Sequence, residues 1–461
     1  MKRSIAYIVA LLISGLIAAV LGLTLEQTLS ATIFMGIILG TLFFWKFRLA
    51  FALIGMTGLV ALGLIDIPHI VEFAGLDIIL FLIGMMIVVG FLEERHFFER
   101  LVERIVSLAG SSGKRLTVAL MILAAVFASL VDEVTSILFM TSTVLHLTSK
   151  QRLNPLPFVI MIVFATNIGS SATVVGNPIG IMVAMRGGLS FADFLRWATP
   201  IAILALCAAI PLSLKLFSRD VKKLDEALHK VSTEEEKVEE SSGVEKREQI
   251  ICWVMFAGTI FSLVMHSSIE SLLGLQKNAM LLGTSLGAAG IALLLDFERA
   301  RELVEKRVDW WTLSFFILLF ASVGTLRLVG VTGVLASQLS VMAGRSEVTL
   351  MFVFMWGVGV LSAFMDNVLA VATFIPIVQD LQAMGVSTFS LWWGMLFAGT
   401  FFGNLTMIGS TANIVAIGML ERRKLGFLSL FDWIKPGAVV SIVTLVIATV
   451  MLYLQMPLMP R

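Results

Sequence analysis

Apolar runs separated by short polar segments repeat along the whole chain. A helix needs about 20 apolar residues to cross the hydrocarbon core of a membrane. Runs of that kind lie at residues 4–22, 28–44, 49–65, 76–92, 158–183, 197–218, 250–269, 279–296, 310–326, 391–417 and 436–455. Two further runs, 116–147 and 348–380, are too long for one span. The pattern predicts an all-α polytopic membrane protein with about eleven full spans and two re-entrant helical hairpins.

Each predicted hairpin has acidic or amide side chains at its centre. The first presents Asp132 and Glu133, followed by Thr135 and Ser136, and the second presents Asp366 and Asn367, with Thr373 further on. A charged side chain at mid-bilayer depth costs roughly 3 kcal/mol and is tolerated mainly where it faces a polar cavity. We therefore expect both tips to meet at a binding site.

The run that follows each hairpin is not a clean helix. Segment 158–183 contains Asn167, Thr173, Gly176, Asn177 and Pro178, and segment 391–417 contains Asn404, Thr406, Gly409, Ser410 and Asn413. Glycine, proline and small polar residues at mid-depth indicate a helix broken around a loop, which a membrane permits only where the loop is buried in protein or lines a cavity. All of these residues except Pro178 are candidate substrate- or ion-binding residues.

The two halves of the chain carry the same series of features. Asp132 corresponds to Asp366, Thr173 to Thr406 and Gly176 to Gly409, at nearly constant spacing. This predicts N-terminal spans over 1–65, a first repeat over 66–218, a charged linker over 219–249, and a second repeat over 250–461. The linker lacks aromatic residues and is expected to be flexible and cytoplasmic.

The placement of basic residues predicts the orientation. With the N-terminus inside, the outer segments hold few basic residues of the 33 in the chain, namely Arg186, Arg196, Lys277, Arg327, Arg345 and Arg461. This asymmetry is that of a multi-pass protein of the cytoplasmic membrane. It makes one hairpin enter from each side, so the two repeats are expected to be inverted, as in many secondary transporters.

Composition agrees with a membrane protein and excludes other classes. Hydrophobic residues make up 58% of the chain and charged residues 14%, with a net charge of +1. The near-neutral charge gives no indication of a nucleic-acid partner. Cys207 and Cys252 both lie in apolar runs, so no disulfide is expected. The apolar cores hold no basic residue in this prediction.

The tip residues permit two kinds of chemistry. Carboxylate and hydroxyl oxygens suit a hard cation such as Na⁺, which could bind at Asp132 and Asp366, and a carboxylate can also carry a proton. Half-helix N-termini instead suit an anion. Structural alternatives stay open. Asp132 could be a buried structural acid paired with a nearby Arg or Lys, and Glu133 could face the lipid boundary or a neighbouring helix. Asn167 could cap a half-helix, and Thr173 and Thr406 could bond back to their own helices.

Four stretches resemble one known family. Residues 131–136, 166–180, 362–367 and 403–413 are similar to motifs of the ion-transporter superfamily, in its arsenite-permease/NhaD-type, P-protein-like branch, which is related to the citrate and dicarboxylate transporters. The resemblance extends over about residues 45 to 435. Glu133 stands where this branch has asparagine, and Asn177 where it has aspartate.

The resemblance implies an elevator-type, ion-coupled secondary transporter that forms a homodimer. A Na⁺/H⁺ antiporter-like permease is the leading prediction, because acids stand at both tips. An anion permease for arsenite, citrate or a dicarboxylate is the alternative, and a passive channel stays open. A remote alternative is an intramembrane aspartyl protease that uses Asp132 and Asp366 as its dyad. We expect no enzyme activity and no cofactor, with Na⁺ or H⁺ as the coupling ion, and membrane lipid and a small ion as partners.

Overall fold

A computed structural model describes residues 2–110, 112–231, 243–344, 346–423 and 430–460. These residues form helices joined by short turns, and no strand occurs among them. In this part of the chain nine helices are long and apolar enough to cross a membrane by length and composition, at Arg3–Val20, Leu25–Phe43, Leu76–Glu93, Gly113–Leu130, Phe191–Leu216, Arg247–Leu273, Trp310–Leu328, Glu347–Phe364 and Leu430–Leu458. The all-α, multi-spanning membrane architecture predicted from the sequence is confirmed.

Six helices precede the first hairpin. They are α1 (Lys2–Val20), α2 (Leu25–Phe43), α3 (Arg48–Ala61), α4 (Ile67–Phe73), α5 (Leu76–Glu93) and α6 (Phe97–Ala109). Thr24 begins α2 with a capping box, in which its side chain accepts the Gln27 N–H and the Gln27 side chain accepts the Thr24 N–H. Such reciprocal caps satisfy N–H groups that a helix start leaves open. The short helix α4 follows the predicted span 49–65 and was not predicted as a separate element.

The first half continues as two helix pairs and a long helix. The pairs are α7 (Gly113–Leu130) with α8 (Glu133–Lys150), and α9 (Leu156–Gly169) with α10 (Pro178–Gly187). Next come α11 (Phe191–Asp193), a π-helical turn (Phe194–Ala198) and α12 (Thr199–Leu216), which form one continuous helical segment. The helices α7 and α8 pack against each other and enclose Asp132 at their turn.

The start of the linker differs from the prediction. Residues 219–249 were expected to be flexible, but α13 (Ser218–Val231) is helical. Its apolar residues Val221 and Leu224 recur at helical spacing and are buried. Asp225 also accepts a hydrogen bond from the Gly113 N–H at 2.7 Å, which fixes α13 to the start of α7. The charged centre of the linker, 232–242, lies outside the described residues, as do Arg345 and Arg461.

The second half ends with the same kinds of helix pair as the first. It contains α14 (Gly243–Leu273), α15 (Ala279–Leu295), α16 (Ala300–Glu302) with a π-helical turn (Leu303–Arg307), α17 (Trp310–Leu328), α18 (Val331–Met342), α19 (Glu347–Phe364), α20 (Asn367–Ala383), α21 (Phe389–Phe402), α22 (Thr411–Arg422) and α23 (Leu430–Gln455). A helix pair (α19, α20), an interrupted pair (α21, α22) and a long helix (α23) thus follow each other as in the first half. Helix α18 lies between predicted elements and was missed.

Packing divides most helices into two groups. In the first, which we call the site group, α7–α10, α12 and α19–α23 pack against one another. In the second, the flanking group, α1–α5, α14, α15 and α17 form the contacts. Within the flanking group Ser285 of α15 donates a hydrogen bond to the Phe81 carbonyl of α5 at 2.8 Å. Every residue proposed from the sequence as a binding residue lies in the site group.

Candidate functional site

The two aspartates at the hairpin turns cap the helices that follow them. Asp132 Oδ1 accepts hydrogen bonds from the N–H groups of Val134 and Thr135 at 2.7 and 2.9 Å. Asp366 Oδ1 accepts the Val368 N–H at 3.1 Å. Aspartate is a preferred N-cap because its carboxylate binds N–H groups that have no partner in the first turn. One oxygen of each carboxylate is therefore committed to its own helix.

Glu133 faces the protein interior and not lipid. Its side chain is 1% exposed, and its Oε2 accepts a hydrogen bond from the Ser170 hydroxyl at 3.4 Å. Its electrostatic neighbours are the carboxylates of Asp366 and Asp132 and the amide of Asn367. The two hairpin tips are thus brought together at Glu133 and Asn367.

Two polar atoms at this meeting point lack a hydrogen-bond partner. The Glu133 Oε1 and the Asn367 Nδ2 are buried and unpaired among the described residues, although the Asn367 amide lies beside the Glu133 carboxylate. Most buried polar groups in proteins are satisfied, so unpaired ones require an explanation such as a bound ion or water. Among the described residues no three carboxylate, thiol or imidazole groups converge as a multivalent metal site would require.

Asn167 joins the breaks of the two interrupted segments. Its Nδ2 donates to Asn404 Oδ1 at 2.7 Å and to Asn413 Oδ1 at 2.8 Å. Its Oδ1 accepts the Ser410 hydroxyl at 2.9 Å. All four residues are fully buried. Asn167 therefore does not only cap a half-helix, because its amide links the first half of the chain to the second.

The half-helices that follow the breaks are capped from within the site group. Asn177 begins α10, where its Oδ1 accepts the Gly180 N–H and its Nδ2 donates to the Ser170 hydroxyl, both at 2.7 Å. Ser410 begins α22 and accepts the Ala412 N–H at 3.2 Å. Ser170, which contacts both Asn177 and Glu133, was not selected from the sequence. Its position within the glycine- and serine-rich break of the first interrupted segment could have identified it as a site residue.

Thr173 and Thr406 make the same contact in the two halves. The Thr173 hydroxyl donates to the Ser129 carbonyl at the end of α7, and the Thr406 hydroxyl donates to the Ala363 carbonyl at the end of α19. Each threonine therefore ties a break to the neighbouring hairpin, and neither bonds back to its own helix. The two threonines, which the sequence predicts to correspond, therefore make similar contacts.

Gly176 and Gly409 allow close backbone approach at the breaks. A Cβ on Gly176 would lie 2.1 Å from the Ser170 carbonyl oxygen, and one on Gly409 would lie 2.5 Å from the Gly403 carbonyl oxygen. Both distances are far below van der Waals contact. Any larger residue at either position must displace backbone.

Two hydroxyl residues near the tips have structural contacts. Ser136 donates to the Ala124 carbonyl at 2.9 Å and so joins the two arms of the first hairpin. Thr373 bonds back to the Leu369 carbonyl at 2.9 Å within α20. Thr135 contributes its N–H to the Asp132 cap.

The expectation that no basic residue enters the apolar interior is wrong for Arg48. This arginine of α3 is 7% exposed, and it donates to the Thr312 hydroxyl at 2.6 Å. Its guanidinium lies over the Trp45 ring, 4.3 Å from the centroid, and is attracted to Asp366. The pattern of basic residues predicted that Arg48 lies in a loop on the inner side of the membrane. The packing of α3 against α17 buries it instead, and such tertiary packing is not visible in a local pattern.

Two cavities separate the flanking group from the site group. The smaller, of about 170 Å³, lies beside Asp366 and is lined by Thr41, Trp45 and Leu369 among others. The larger, of about 460 Å³, lies between α4, α5 and α17 on one side and α10 and α20 on the other. Two ion pairs cross the gap at the larger cavity: Arg186 to Asp77, at 2.7 and 2.9 Å, and Arg327 to Asp380, at 3.1 Å.

Similar proteins place this geometry in a known context. The chain matches the family model described as "Citrate transporter" (CitMHS) over residues 34–398 and 329–460. It is 32% identical to "Uncharacterized transporter Mb2703" of Mycobacterium bovis, over 82% of this chain and 86% of the relative. It is 24% identical to the human P protein, over 86% of this chain and 56% of that protein.

A solved structure supports the fold. The crystal structure of the Alcanivorax borkumensis YdaH transporter aligns with a TM-score of 0.59 at 14% identity, and covers 87% of this chain and 89% of that one. The predicted resemblance to the ion-transporter superfamily is confirmed, and several relatives are described as uncharacterized transporters. With two hairpins that meet at a buried carboxylate and a family match along most of its length, this integral membrane protein is a transporter that belongs to the citrate transporter family.

Proposed function

We propose that this transporter is ion-coupled and secondary active, and that Glu133 is its ion-handling group. The observation that carries the proposal is the buried Glu133 carboxylate, which has one unpaired oxygen and two neighbouring carboxylates. A buried charge without a partner is strongly destabilising. A proton or a monovalent cation at Glu133 would remove that cost, so occupancy by H⁺ or Na⁺ would be favourable there.

A Na⁺/H⁺ antiporter-like activity is the favoured form of this proposal. The residues around Glu133 are oxygen-rich, with Asp132, Asp366 and Ser170 nearby, and such oxygens suit a hard monovalent cation. A citrate-like trianion bound at Glu133 would be repelled by its carboxylate and, at longer range, by those of Asp132 and Asp366, because like charges repel. The ion would move when the site group shifts against the flanking group, with the N-terminus inside and as a homodimer, as proposed from the sequence.

An anion permease is the second candidate, and one observation favours it. Arg48 lies buried near Asp366, beside the smaller cavity and the start of α20. A guanidinium beside a helix N-terminus is a setting that binds carboxylates. The description of the matching family as citrate transporters points the same way. In this case Glu133 would bind the coupling ion and the anion would bind nearer Arg48.

Transport by the purified protein in proteoliposomes tests the proposal. An imposed Na⁺ gradient should move protons, or an imposed pH gradient should move ²²Na⁺, and Glu133→Gln should abolish that coupled flux. The matched control is Glu347→Gln, which changes the first residue of the exposed start of α19 and should transport as wild type. Uptake of labelled citrate, arsenite and a dicarboxylate is measured in the same vesicles.

The outcomes separate the candidates. Coupled Na⁺ and H⁺ flux without anion uptake supports the antiporter. Ion-driven uptake of one anion that is lost in both Glu133→Gln and Arg48→Gln supports the permease. Ion-coupled flux that survives in Glu133→Gln would refute Glu133 as the ion-handling group.

A further inference from the structure

Three arginines surround a cavity that lies apart from the central site. The cavity, of about 230 Å³, lies between α6 and the beginning of α14. We call it the arginine pocket, and its lining includes Arg95, Arg100, Arg104, Gln249, Cys252 and Trp253. Neither the transport site nor the two cavities beside it share any of these residues.

Two arginines of the arginine pocket, Arg95 and Arg100, differ in their partners. Arg95 is paired with Asp296 at 2.9 Å and lies over the Phe91 ring. Arg100 donates to the Arg95 carbonyl at 3.2 Å, which is a neutral acceptor. Glu248 contributes the acidic group on the α14 side. Within the part of the chain that the structure describes, the Arg100 guanidinium has no carboxylate partner, so it remains able to bind an anion.

The arginine pocket lies where membrane-spanning helices reach the water boundary. The span formed by α5 ends at Glu93, just before Arg95, and the span within α14 begins at Arg247, just before Gln249. Helix α6, which supplies Arg100 and Arg104, is amphipathic, as is typical of helices that lie along a membrane surface. These span ends are the level at which we expect lipid headgroups to meet the pocket.

An exposed apolar surface leads away from the pocket along α14. Trp253 is 49% exposed, and Val254 and Phe261, further along the same helix, are 65% and 66% exposed. The Trp253 ring packs edge-on against Phe97 of α6, with the centroids 5.0 Å apart. Tryptophan at such a level is typical of the membrane interface. A cationic pocket thus continues directly into a surface that acyl chains can cover.

We propose that the arginine pocket binds the phosphate group of an anionic phospholipid, whose acyl chains lie along the exposed face of α14. Arginine binds phosphate through several N–H donors at once. Basic pockets between transmembrane helices are suited to anionic headgroups. The proposal depends on the membrane location of the chain and not on the transported ion, so it stands or falls independently of the proposed function.

Lipid binding by the full-length protein tests this site. Delipidated protein is titrated with phosphatidylglycerol, with phosphatidylcholine of the same chains and with inorganic phosphate, and retained ligand is measured by native mass spectrometry. Phosphatidylglycerol should bind more tightly than phosphatidylcholine. Arg100→Gln should bind it about five-fold more weakly, and the double variant Arg100→Gln/Arg104→Gln at least as weakly, whereas Arg100→Lys should keep part of the preference.

A matched control and a second measurement distinguish lost binding from misfolding. The double variant Lys114→Gln/Arg115→Gln removes two exposed charges from the start of α7 and should bind lipid as wild type does. Trp253 fluorescence is taken as the difference between the wild type and Trp253→Phe. Brominated phosphatidylglycerol should quench this fluorescence more than brominated phosphatidylcholine does. Arg100→Gln/Arg104→Gln should remove that difference while its melting temperature stays close to that of the control.

Three results would overturn the proposal. One is equal retention of the two lipids by the wild-type protein. Another is an equal loss of phosphatidylglycerol in the pocket variant and in the control variant. The third is that the wild-type protein shows no lipid preference but binds inorganic phosphate, and that Arg100→Gln/Arg104→Gln loses this phosphate. The ligand of the pocket would then be a free anion.

Discussion

Glu133 and Asp132 are adjacent in sequence but differ in their surroundings. Asp132 accepts two N–H groups of its own helix, so one of its oxygens is already satisfied. Glu133 has an oxygen with no partner and lies near two other carboxylates. The cap of α8 thus accounts for the Asp132 carboxylate, whereas the first turn of α8 favours an acid at Glu133 but leaves its Oε1 buried without a partner. We therefore assign capping to the first residue and propose ion handling for the second.

Substitution of Asp132 separates these two roles. Asp132→Asn keeps an oxygen that can accept the Val134 and Thr135 N–H groups, so the variant should be nearly as stable as wild type and should retain ion-driven transport. Asp132→Ala removes the cap and should lower stability by about 1 kcal/mol. Melting temperature and proteoliposome flux are the two measurements.

The control for the Asp132 series is another capping aspartate. Asp66 begins α4 and accepts the His69 N–H at 2.9 Å at an exposed position. Asp66→Ala should lose a similar amount of stability without a change in coupling. Loss of ion-driven flux in Asp132→Asn, to the extent expected for Glu133→Gln, would show instead that Asp132 itself handles the ion.

Gly176 and Gly409 should not tolerate even one methyl group. A Cβ on Gly176 would lie 2.1 Å from a carbonyl oxygen, so Gly176→Ala must push the first break apart. We expect loss of transport and a lower melting temperature in Gly176→Ala and in Gly409→Ala. Gly287→Ala is the control, because nothing lies within 4 Å of its added Cβ, and alanine should favour helix α15 by about 1 kcal/mol. Normal transport in both break variants would place the binding site elsewhere.

At the scale of elements, each interrupted segment is held to a hairpin by one threonine. The Thr173 hydroxyl reaches the end of α7, and the Thr406 hydroxyl reaches the end of α19. Both acceptors are carbonyls in the last turn of a hairpin arm, where a helix leaves carbonyl groups without partners. The same solution in both halves suggests that the position of the tip depends on this bond.

Removal of either hydroxyl should have similar effects. Thr173→Val and Thr406→Val keep the shape of the side chain and leave a buried carbonyl unpaired, at a cost of about 1–3 kcal/mol. We expect lower melting temperatures and reduced coupled flux in both variants. In the control Thr117→Val, the lost bond is a local one within α7, to the Gly113 carbonyl at 2.8 Å. A full transport rate in both Thr173→Val and Thr406→Val would show that the tips are held by other contacts.

Local patterns predicted the helix breaks well and the tertiary contacts poorly. The breaks after Gly169 and Phe402 follow from glycine and asparagine in both segments, and from Pro178 in the first, which act on their own backbone. Helix α13 was missed because its apolar residues at helical spacing, such as Val221 and Leu224, were outweighed by the charges between them. The burial of Arg48 and the joining of Asn167 to Asn404 depend on residues more than 200 positions away, and no local pattern encodes such partners.

At the scale of the whole molecule, ion pairs connect the site group to the flanking group. Arg186 at the end of α10 binds Asp77 of α5 through two hydrogen bonds, and Arg327 of α17 binds Asp380 of α20. Thr332 of α18 also donates to Asp380 at 2.5 Å. All four charged residues lie at or beside the larger cavity. If the site group moves during transport, these contacts must break.

Loss of the Asp77–Arg186 pair should therefore make the present arrangement less populated. Val323 of α17 and Ala372 of α20 both line the larger cavity, and each is replaced by cysteine. The two native cysteines are removed by Cys207→Ser and Cys252→Ser. The rate at which a short bis-maleimide cross-links the new pair then reports how often the two groups are in the present arrangement. Partly exposed pairs contribute up to about 1 kcal/mol, so Asp77→Asn and Arg186→Gln should each slow cross-linking by up to about five-fold. Because the two residues act on each other, the double variant should be no slower than either single one.

Arg301→Gln, which breaks an exposed pair with Glu305 on the same helical turn, is the control and should leave the rate unchanged. Equal cross-linking rates in all these variants would mean that the pair does not hold the two groups together.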